Sequence, residues 1–364
     1  MSMKIMSIFG TRPEIIRLSR IFASLDKNFE HVMVNTNQNF TKELNSVFFD
    51  DLNLRKPDYD LQVKTESYGI EVADVLVKTE KVLKKEKPDI LLILGDTNSG
   101  LSALPASNQG IKIAHLEAGM RSYDFRIPEE KNRVIIDHLS TVLLPYTQYS
   151  RENLIRENIH PSKIYVVGNP IIEVINYYMK KIDKSNILKK LGLTSNEYFL
   201  ATGHRSENVD DSIRLQLIFD GFKKIYQKFN KKIIYPIHPR TLSKLDGIKI
   251  PKGVLTIDPL GFLDFSKLEK NAFCLITDSG TVPEESLYFK KPCVTIRDST
   301  ERPEYIEAGS TILSGLDPQK MVDSVNLLTS NPSDWQWNSS LGDGMTASKV
   351  VNILMGQRRK IIDL

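Results

Sequence analysis

Three carboxylates sit where a parallel α/β sheet places its reactive groups. Gly95-Asp96-Thr97-Asn98 follows the apolar run 89–94, and His115-Leu116-Glu117-Ala118-Gly119 follows the run 112–114. Pro128-Glu129-Glu130 then opens a helical pattern. Asp96, Glu117 and Glu129 are therefore expected on one side of one domain. Carboxylates set close together repel when ionised, which raises at least one pKa and leaves a base and an acid near neutral pH. Arg133, four residues after Glu129 on the same helix face, is placed to hold that carboxylate. The plainer use of these residues is a charged helix N-terminus for Glu129 and Glu130 and loop hydrogen bonds for the others.

A second group of residues suits an anion. Gly10-Thr11-Arg12-Pro13-Glu14 follows the run 4–9, and Asp278-Ser279-Gly280-Thr281-Val282-Pro283-Glu284-Glu285 follows the run 273–277. Both carry Gly-Thr-x-Pro-Glu, in which Thr caps a helix, Pro fits its first turn and Glu three residues on completes a capping box. Free N–H groups at such a helix start favour an anion, and Arg12 adds a fork matched to phosphate. Plain capping with no ligand uses the same residues. Gly203-His204-Arg205-Ser206-Glu207-Asn208 ends the run 198–202, where His204 and Arg205 could face an anionic leaving group, and His238-Pro239-Arg240 is another basic loop at the end of the run 233–237. The loop 297–304, with Ser299, Thr300 and Arg302, offers donors to a ligand or forms a local ion-pair network. Neither Gly-bearing loop is GxGxxG or a Walker phosphate loop, which counts against an NAD fingerprint or an NTPase.

The elements that carry these loops alternate. Strands are expected over 4–9, 31–35, 89–94, 112–114, 198–202, 233–237, 254–257, 273–277 and 293–296. Helices are expected over 13–24, 42–49, 69–85, 101–108, 213–229 and 347–362. Such alternation means α/β domains with parallel, doubly wound sheets, whose ligands lie beyond the carboxyl ends of the strands. A chain of 364 residues exceeds the size of most single domains. The pattern restarts after Gly168-Asn169-Pro170. The expected organisation is an N-terminal domain over 1–170, a C-terminal domain over 171–346, and a lone helix within 347–364 able to return to the first domain. Two such domains would leave a cleft between the carboxyl ends of both sheets.

Composition narrows the function classes. Lys and Arg number 49 against 45 Asp and Glu, a net charge of +4, too little to argue for nucleic acid. No apolar run approaches the ~20 residues of a membrane span, and residues 1–10 do not read as a secretory leader. Two cysteines make no disulfide framework, so a reducing cytoplasm is expected. No Cys or His spacing suggests a metal site.

Taken in order, these motifs resemble the non-hydrolysing UDP-N-acetylglucosamine 2-epimerase family: Gly-Thr-Arg-Pro-Glu (10–14), Gly-Asp-Thr-Asn (95–98), His-Leu-Glu-Ala-Gly-Met-Arg (115–121), Pro-Glu-Glu-Lys-Asn-Arg (128–133), Gly-His-Arg-Ser-Glu-Asn (203–208), Asp-Ser-Gly-Thr-Val-Pro-Glu-Glu (278–285) and Arg-Asp-Ser-Thr-Glu-Arg-Pro-Glu (297–304). The resemblance covers essentially the whole chain. It implies two Rossmann-like domains as in the GT-B glycosyltransferases, a homodimer, and inversion at C2 of a UDP-linked 2-acetamido sugar with no cofactor and no metal. By the same resemblance Asp96, Glu117 and Glu129 handle the proton and His204 is the active-site histidine. Arg12, Arg205, Ser279, Gly280 and Glu285 bind UDP, with Arg17, Arg133, His238, Phe262, Thr281 and Arg302 completing the substrate-binding set. The implied chemistry is elimination of UDP across C1–C2 to a glycal, followed by its re-addition.

Some positions depart from the bacterial pattern. Arg17 stands where Lys is common, and Gln38-Asn39 where a Gln-His pair contributes to substrate activation in some members. Arg17-Leu18-Ser19, Thr281 and Asn176-Tyr177-Tyr178-Met179 look like the branch that forms UDP-N-acetyl-L-fucosamine from a 6-deoxy-L-talose sugar, whereas Ala118-Gly119-Met120-Arg121 looks like the UDP-GlcNAc type. UDP-GlcNAc/UDP-ManNAc is the expected substrate pair and the L-sugar the alternative. A GT-B glycosyltransferase using a UDP-sugar is the alternative from another class.

Overall fold

Apolar runs such as Ile90–Leu94 are buried along their whole length, as strands covered by helices on both faces must be. The computed structural model describes residues 3–38, 48–330 and 335–357, and the chain divides into two units. The first holds the residues up to Tyr177 together with those from Asn338 onward. Its strands are β1 (Lys4–Phe9), β2 (Glu30–Asn35), β3 (Tyr59–Asp60), β4 (Ile90–Leu94), β5 (Lys112–Leu116) and β6 (Val142–Leu144). They form one parallel sheet in the order β3-β2-β1-β4-β5-β6. Met6, Ile8, Val34, Leu91, Ile93 and Ile113 pack with Val82 and Leu83 of the helix Tyr68–Glu86 and with Ile136 of the helix Pro128–Leu139. The C-terminal helix Thr346–Gly356 packs on the helix Arg12–Asn28 of this same unit.

The second unit, Tyr178–Trp337, repeats the winding. Its strands are β7 (Tyr198–Thr202), β8 (Lys232–Pro236), β9 (Val254–Ile257), β10 (Cys274–Thr277), β11 (Cys293–Thr295) and β12 (Thr311–Leu313), in the order β12-β11-β10-β7-β8-β9. Every pairing is parallel. Tyr198, Leu200, Ile234, Leu275 and Cys293 form its core with Leu268 of the helix Phe262–Asn271. In each unit the winding reverses between two central strands, β1 and β4 or β7 and β10. That reversal is the switch point at which open α/β sheets bind ligands.

The expected central strands are present within a residue or two. The edge strands β3, β6 and β12 were not anticipated; they have only two or three residues and lie at the rims of their sheets. The division falls at Tyr177–Tyr178, inside the helix Pro170–Lys184, and not at Gly168-Asn169-Pro170. Those three residues are tied to the first unit's own C-terminal segment: Asn169 donates its N–H to Leu341 O at 2.8 Å, and a Cβ on Gly168 would lie 2.9 Å from Gly342 Cα. The punctuation therefore starts a helix. The C-terminal return likewise begins at Asn338, ahead of the expected 347. The helix expected over 42–49 falls largely on 39–47, outside the described residues, as does Asn39; so do 358–362 of the expected last helix.

Candidate active site

In the first unit Gly10 follows β1 and Gly95-Asp96 follows β4. Glu14, in the first turn of the helix Arg12–Asn28, gathers the loop after β1. Its Oε2 accepts from Gly10 N (3.0 Å), Thr11 N (2.7 Å) and Thr11 Oγ1 (2.7 Å), and its Oε1 accepts from Thr97 Oγ1 (3.1 Å), next to Asp96. The capping box is therefore real and is extended to the neighbouring strand's loop. Burial pushes the Glu14 carboxyl up to about 7, against four donors that favour the charged form. The space a Gly10 side chain would use is filled: its Cβ would lie 2.0 Å from Thr36 Oγ1 and 2.4 Å from Ser99 Oγ. Gly10 thus serves close packing. Arg12 stacks its guanidinium over the Phe48 ring, 5.6 Å from the centroid.

Asp96 and Glu117 stand past the ends of the adjacent strands β4 and β5, each against a guanidinium. Arg133 pairs with Asp96 through Nη2 and with Glu130 through Nη1 at 2.7 Å. Arg133 thus bridges Asp96 and the residue three before it. Glu130 also accepts from Ser122 N and Tyr123 N, each at 3.0 Å, so it ties down the loop between Glu117 and Glu129. Glu129 itself is half-buried at the helix start. Arg17, on the inner face of its helix, pairs with Glu117, and both side chains are nearly out of solvent. Glu117 has φ +73°, a left-handed conformation that costs a non-glycine residue about 1–3 kcal/mol and that clusters at functional sites. Its N–H donates to Leu144 O of β6 at 3.1 Å.

The second unit builds its switch point around Asp278, a fully buried carboxylate directly after β10. It accepts from His204 N (3.0 Å) and Arg205 N (2.9 Å), just past the end of β7, and from Asn208 Nδ2 (3.3 Å). Those bonds set the first turn of Ser206–Val209 and fix where His204 and Arg205 leave the backbone. The His204 ring, one-third exposed, lies 5.7 Å from that of His238. In the loop 278–285, Ser279 Oγ and Thr281 Oγ1 lie 3.2 Å apart, Thr281 makes no side-chain cap, and Glu284 pairs with Arg302 at 2.6 Å. The capping box expected here is therefore replaced by a hydroxyl pair and an ion pair. A Cβ on Gly280 would meet Glu301 Oε1 at 2.6 Å, Arg205 Nη2 at 3.3 Å and Arg302 Nε at 3.5 Å, so this glycine opens onto charged heads. Phe262 is buried edge-on to Tyr178. Glu285 is buried beside Glu269, whose carboxyl is held well above the usual range by burial and by the Glu285 carboxyl next to it.

Comparison with known proteins decides the family. The model of the UDP-N-acetylglucosamine 2-epimerase family matches residues 23–355. The UDP-N-acetylglucosamine 2-epimerase of Methanococcus maripaludis is 42% identical over 98% of this chain and 99% of its own length. That of Methanocaldococcus jannaschii is 41% identical over 97% and 99%. A crystal structure of the M. jannaschii UDP-GlcNAc 2-epimerase in complex with UDP-GlcNAc and UDP superposes with a TM-score of 0.92 at 41% identity, covering 97% of this chain and 100% of that one. The chain belongs to the UDP-N-acetylglucosamine 2-epimerase family. Its members are epimerases, and so isomerases.

As a member of that family, the chain brings Asp96, Glu117, Arg17 and Arg133 together in one unit, and His204, Arg205, His238, Ser279, Gly280, Thr281 and Arg302 around the switch point of the other. Sequence reasoning did not single out Glu14, Glu130, Asp278, Glu269 or Glu301 for what they do. A capping box marked Glu14, and a strand end marked Asp278. Among the described residues, no group of three or more His, Cys, Asp or Glu side chains is placed to hold a metal ion, and no helix is long and apolar enough to cross a membrane.

Proposed function

We propose that this chain is a non-hydrolysing UDP-N-acetylglucosamine 2-epimerase that interconverts UDP-GlcNAc and UDP-ManNAc. The observation that carries the reading is the pair Asp96 and Glu117, set past neighbouring strand ends and each against its own buried guanidinium. The C2 proton of the sugar is not next to a carbonyl, so a simple carbanion is too costly. A carboxylate takes that proton, the C–H electron pair becomes the C1–C2 double bond of a glycal, and the C1–O pair leaves with UDP. A proton returned to the other face of C2, with UDP adding back at C1, completes inversion. Asp96, Glu117 and Glu129 supply base and acid. Arg12, His204, Arg205 and Arg302 stabilise the departing diphosphate electrostatically. Ser279, Gly280 and Thr281 offer it loop donors, and Glu285, His238 and Phe262 complete the nucleotide site.

The chain acts in the cytoplasm as a homodimer that supplies a precursor of surface polysaccharide. Two buried, unbridged cysteines, Cys274 and Cys293, fit a reducing compartment. Exposed Tyr68, Ile70, Val77, Leu104 and Ile135 on neighbouring helices of the first unit favour self-association. The test of the activity is proton NMR of UDP-GlcNAc with the protein and no acceptor, run beside the 6-deoxy-L-talose analogue. Anomeric signals of UDP-ManNAc without free sugar support the reading. Turnover of the L-sugar alone, or release of free sugar, would overturn it.

A further inference from the structure

The loops bearing Asp96 and Glu117 are joined from beneath by two side chains that the chemistry above does not use. His115, the fourth residue of β5, is fully buried, with Nε2 2.8 Å from Gly95 O and Nδ1 2.7 Å from Asp137 Oδ1. Asp137, in the helix Pro128–Leu139, accepts at Oδ2 from Gly119 N (3.1 Å) and from Arg121 Nη2 (2.8 Å). A carbonyl only accepts, so Nε2 carries a proton. Gly119 N and Arg121 Nη2 both donate to Asp137, which favours its ionised carboxyl. Burial pushes the Asp137 carboxyl up, but the contacts with the His115 ring and the Arg121 guanidinium outweigh it and hold it below the usual range. Arg121 is anchored in turn on Glu157 by two bonds, at 2.7 and 2.6 Å.

We propose that His115 and Asp137 form one positioning unit that sets the separation of Asp96 from Glu117. The chain of contacts runs from the carbonyl just before Asp96, through the ring and the carboxylate, to the N–H two residues after Glu117. Removing a proton from one face of C2 and returning one to the other requires a fixed distance between the groups involved, and an error of about 1 Å costs on the order of 10²-fold in rate. Neither side chain touches substrate in this account. The inference rests on the reading of Asp96 and Glu117 as the proton-handling pair.

The experiment compares His115→Gln, which keeps a donor toward Gly95 but gives up the ring's link to Asp137, with Asp137→Asn, which bridges to an uncharged ring. The expected kcat of His115→Gln is down roughly 10²-fold, with KM and the calorimetric Kd for UDP little changed. Asp137→Asn stays within about tenfold of the parent, and the double variant is no slower than His115→Gln, because both act through one relay. Unchanged kcat in folded His115→Gln, or losses that multiply in the double variant, would overturn the proposal. So would a lower Tm with full kcat per folded molecule. Nitrogen-15 NMR of the histidine rings in the unaltered protein needs neither variant nor turnover. A proton on Nε2 of His115 is expected, and an unprotonated Nε2 would overturn the relay. A parent protein that leaves UDP-GlcNAc unchanged counts against the function, and this ring signal still decides the relay.

Discussion

Arg17 meets Glu117 across a hundred residues of chain, and the pair is almost wholly withdrawn from solvent. Removing one member of a buried pair leaves the other charged and uncompensated, at a cost of about 3–5 kcal/mol. Arg17→Met is therefore expected to lower Tm by several degrees and to lose activity. The double variant Arg17→Met/Glu117→Gln should regain part of the stability and stay inactive. Thermal melts beside kcat measurements check this, and an unchanged Tm for Arg17→Met would contradict it.

The proton-handling carboxylates should behave differently from the nucleotide site. Asp96→Asn, Glu117→Gln and Glu129→Gln are each expected to reduce kcat by roughly 10²–10⁴, with the Kd for UDP little altered. Steady-state kinetics together with calorimetry separate the two effects. Turnover near that of the parent in all three would remove the carboxylates from the chemistry.

Gly280 makes the converse case. A methyl group there would press on Glu301, which Arg297 holds at 2.9 Å, and on Arg205 and Arg302. Overpacking of this kind costs about 1–3 kcal/mol, which corresponds to ~10–100-fold in the UDP Kd. Gly280→Ala should therefore weaken UDP while kcat at saturation falls much less. An unaltered Kd would place the diphosphate elsewhere.

Glu14 gives stability a pH dependence. Its folded-state pKa, about 7, lies above the ordinary 4.5, so the folded protein binds the proton more tightly than the unfolded chain does. The stabilisation from this group is complete below 4.5 and is lost as pH rises through about 7. Melts across that window should show a decline in the parent that is absent in Glu14→Gln, whatever the absolute stability of the variant. Parallel curves would contradict the assignment.

The strand ends were legible because long apolar runs stop at Gly-Asp or Leu-Glu-Ala-Gly, and a buried parallel strand leaves little else for such a run to be. The edge strands were not, because two or three residues such as Tyr59–Asp60 carry no periodicity. The candidate residues were visible by type, but their partners were not. Nothing local pairs Arg17 with Glu117, and helical spacing alone does not bring Arg133 to Asp96. Asp278 reads only as the first residue of a loop after a strand, and its carboxylate is consumed by the N–H groups of His204 and Arg205. Glu269, in Leu-Glu-Lys-Asn, reads as an ordinary surface glutamate. It is buried because its helix turns that position inward toward Glu285.

The proposed mechanism turns on breaking and remaking the C2–H bond. Incubation of the protein with UDP-GlcNAc in D2O, followed by proton NMR and mass spectrometry, tests this directly. UDP-GlcNAc and UDP-ManNAc are expected to approach equilibrium with one solvent deuteron at C2 of the epimerised sugar and no accumulation of free sugar. Epimerised product that retains its original C2 proton would contradict it.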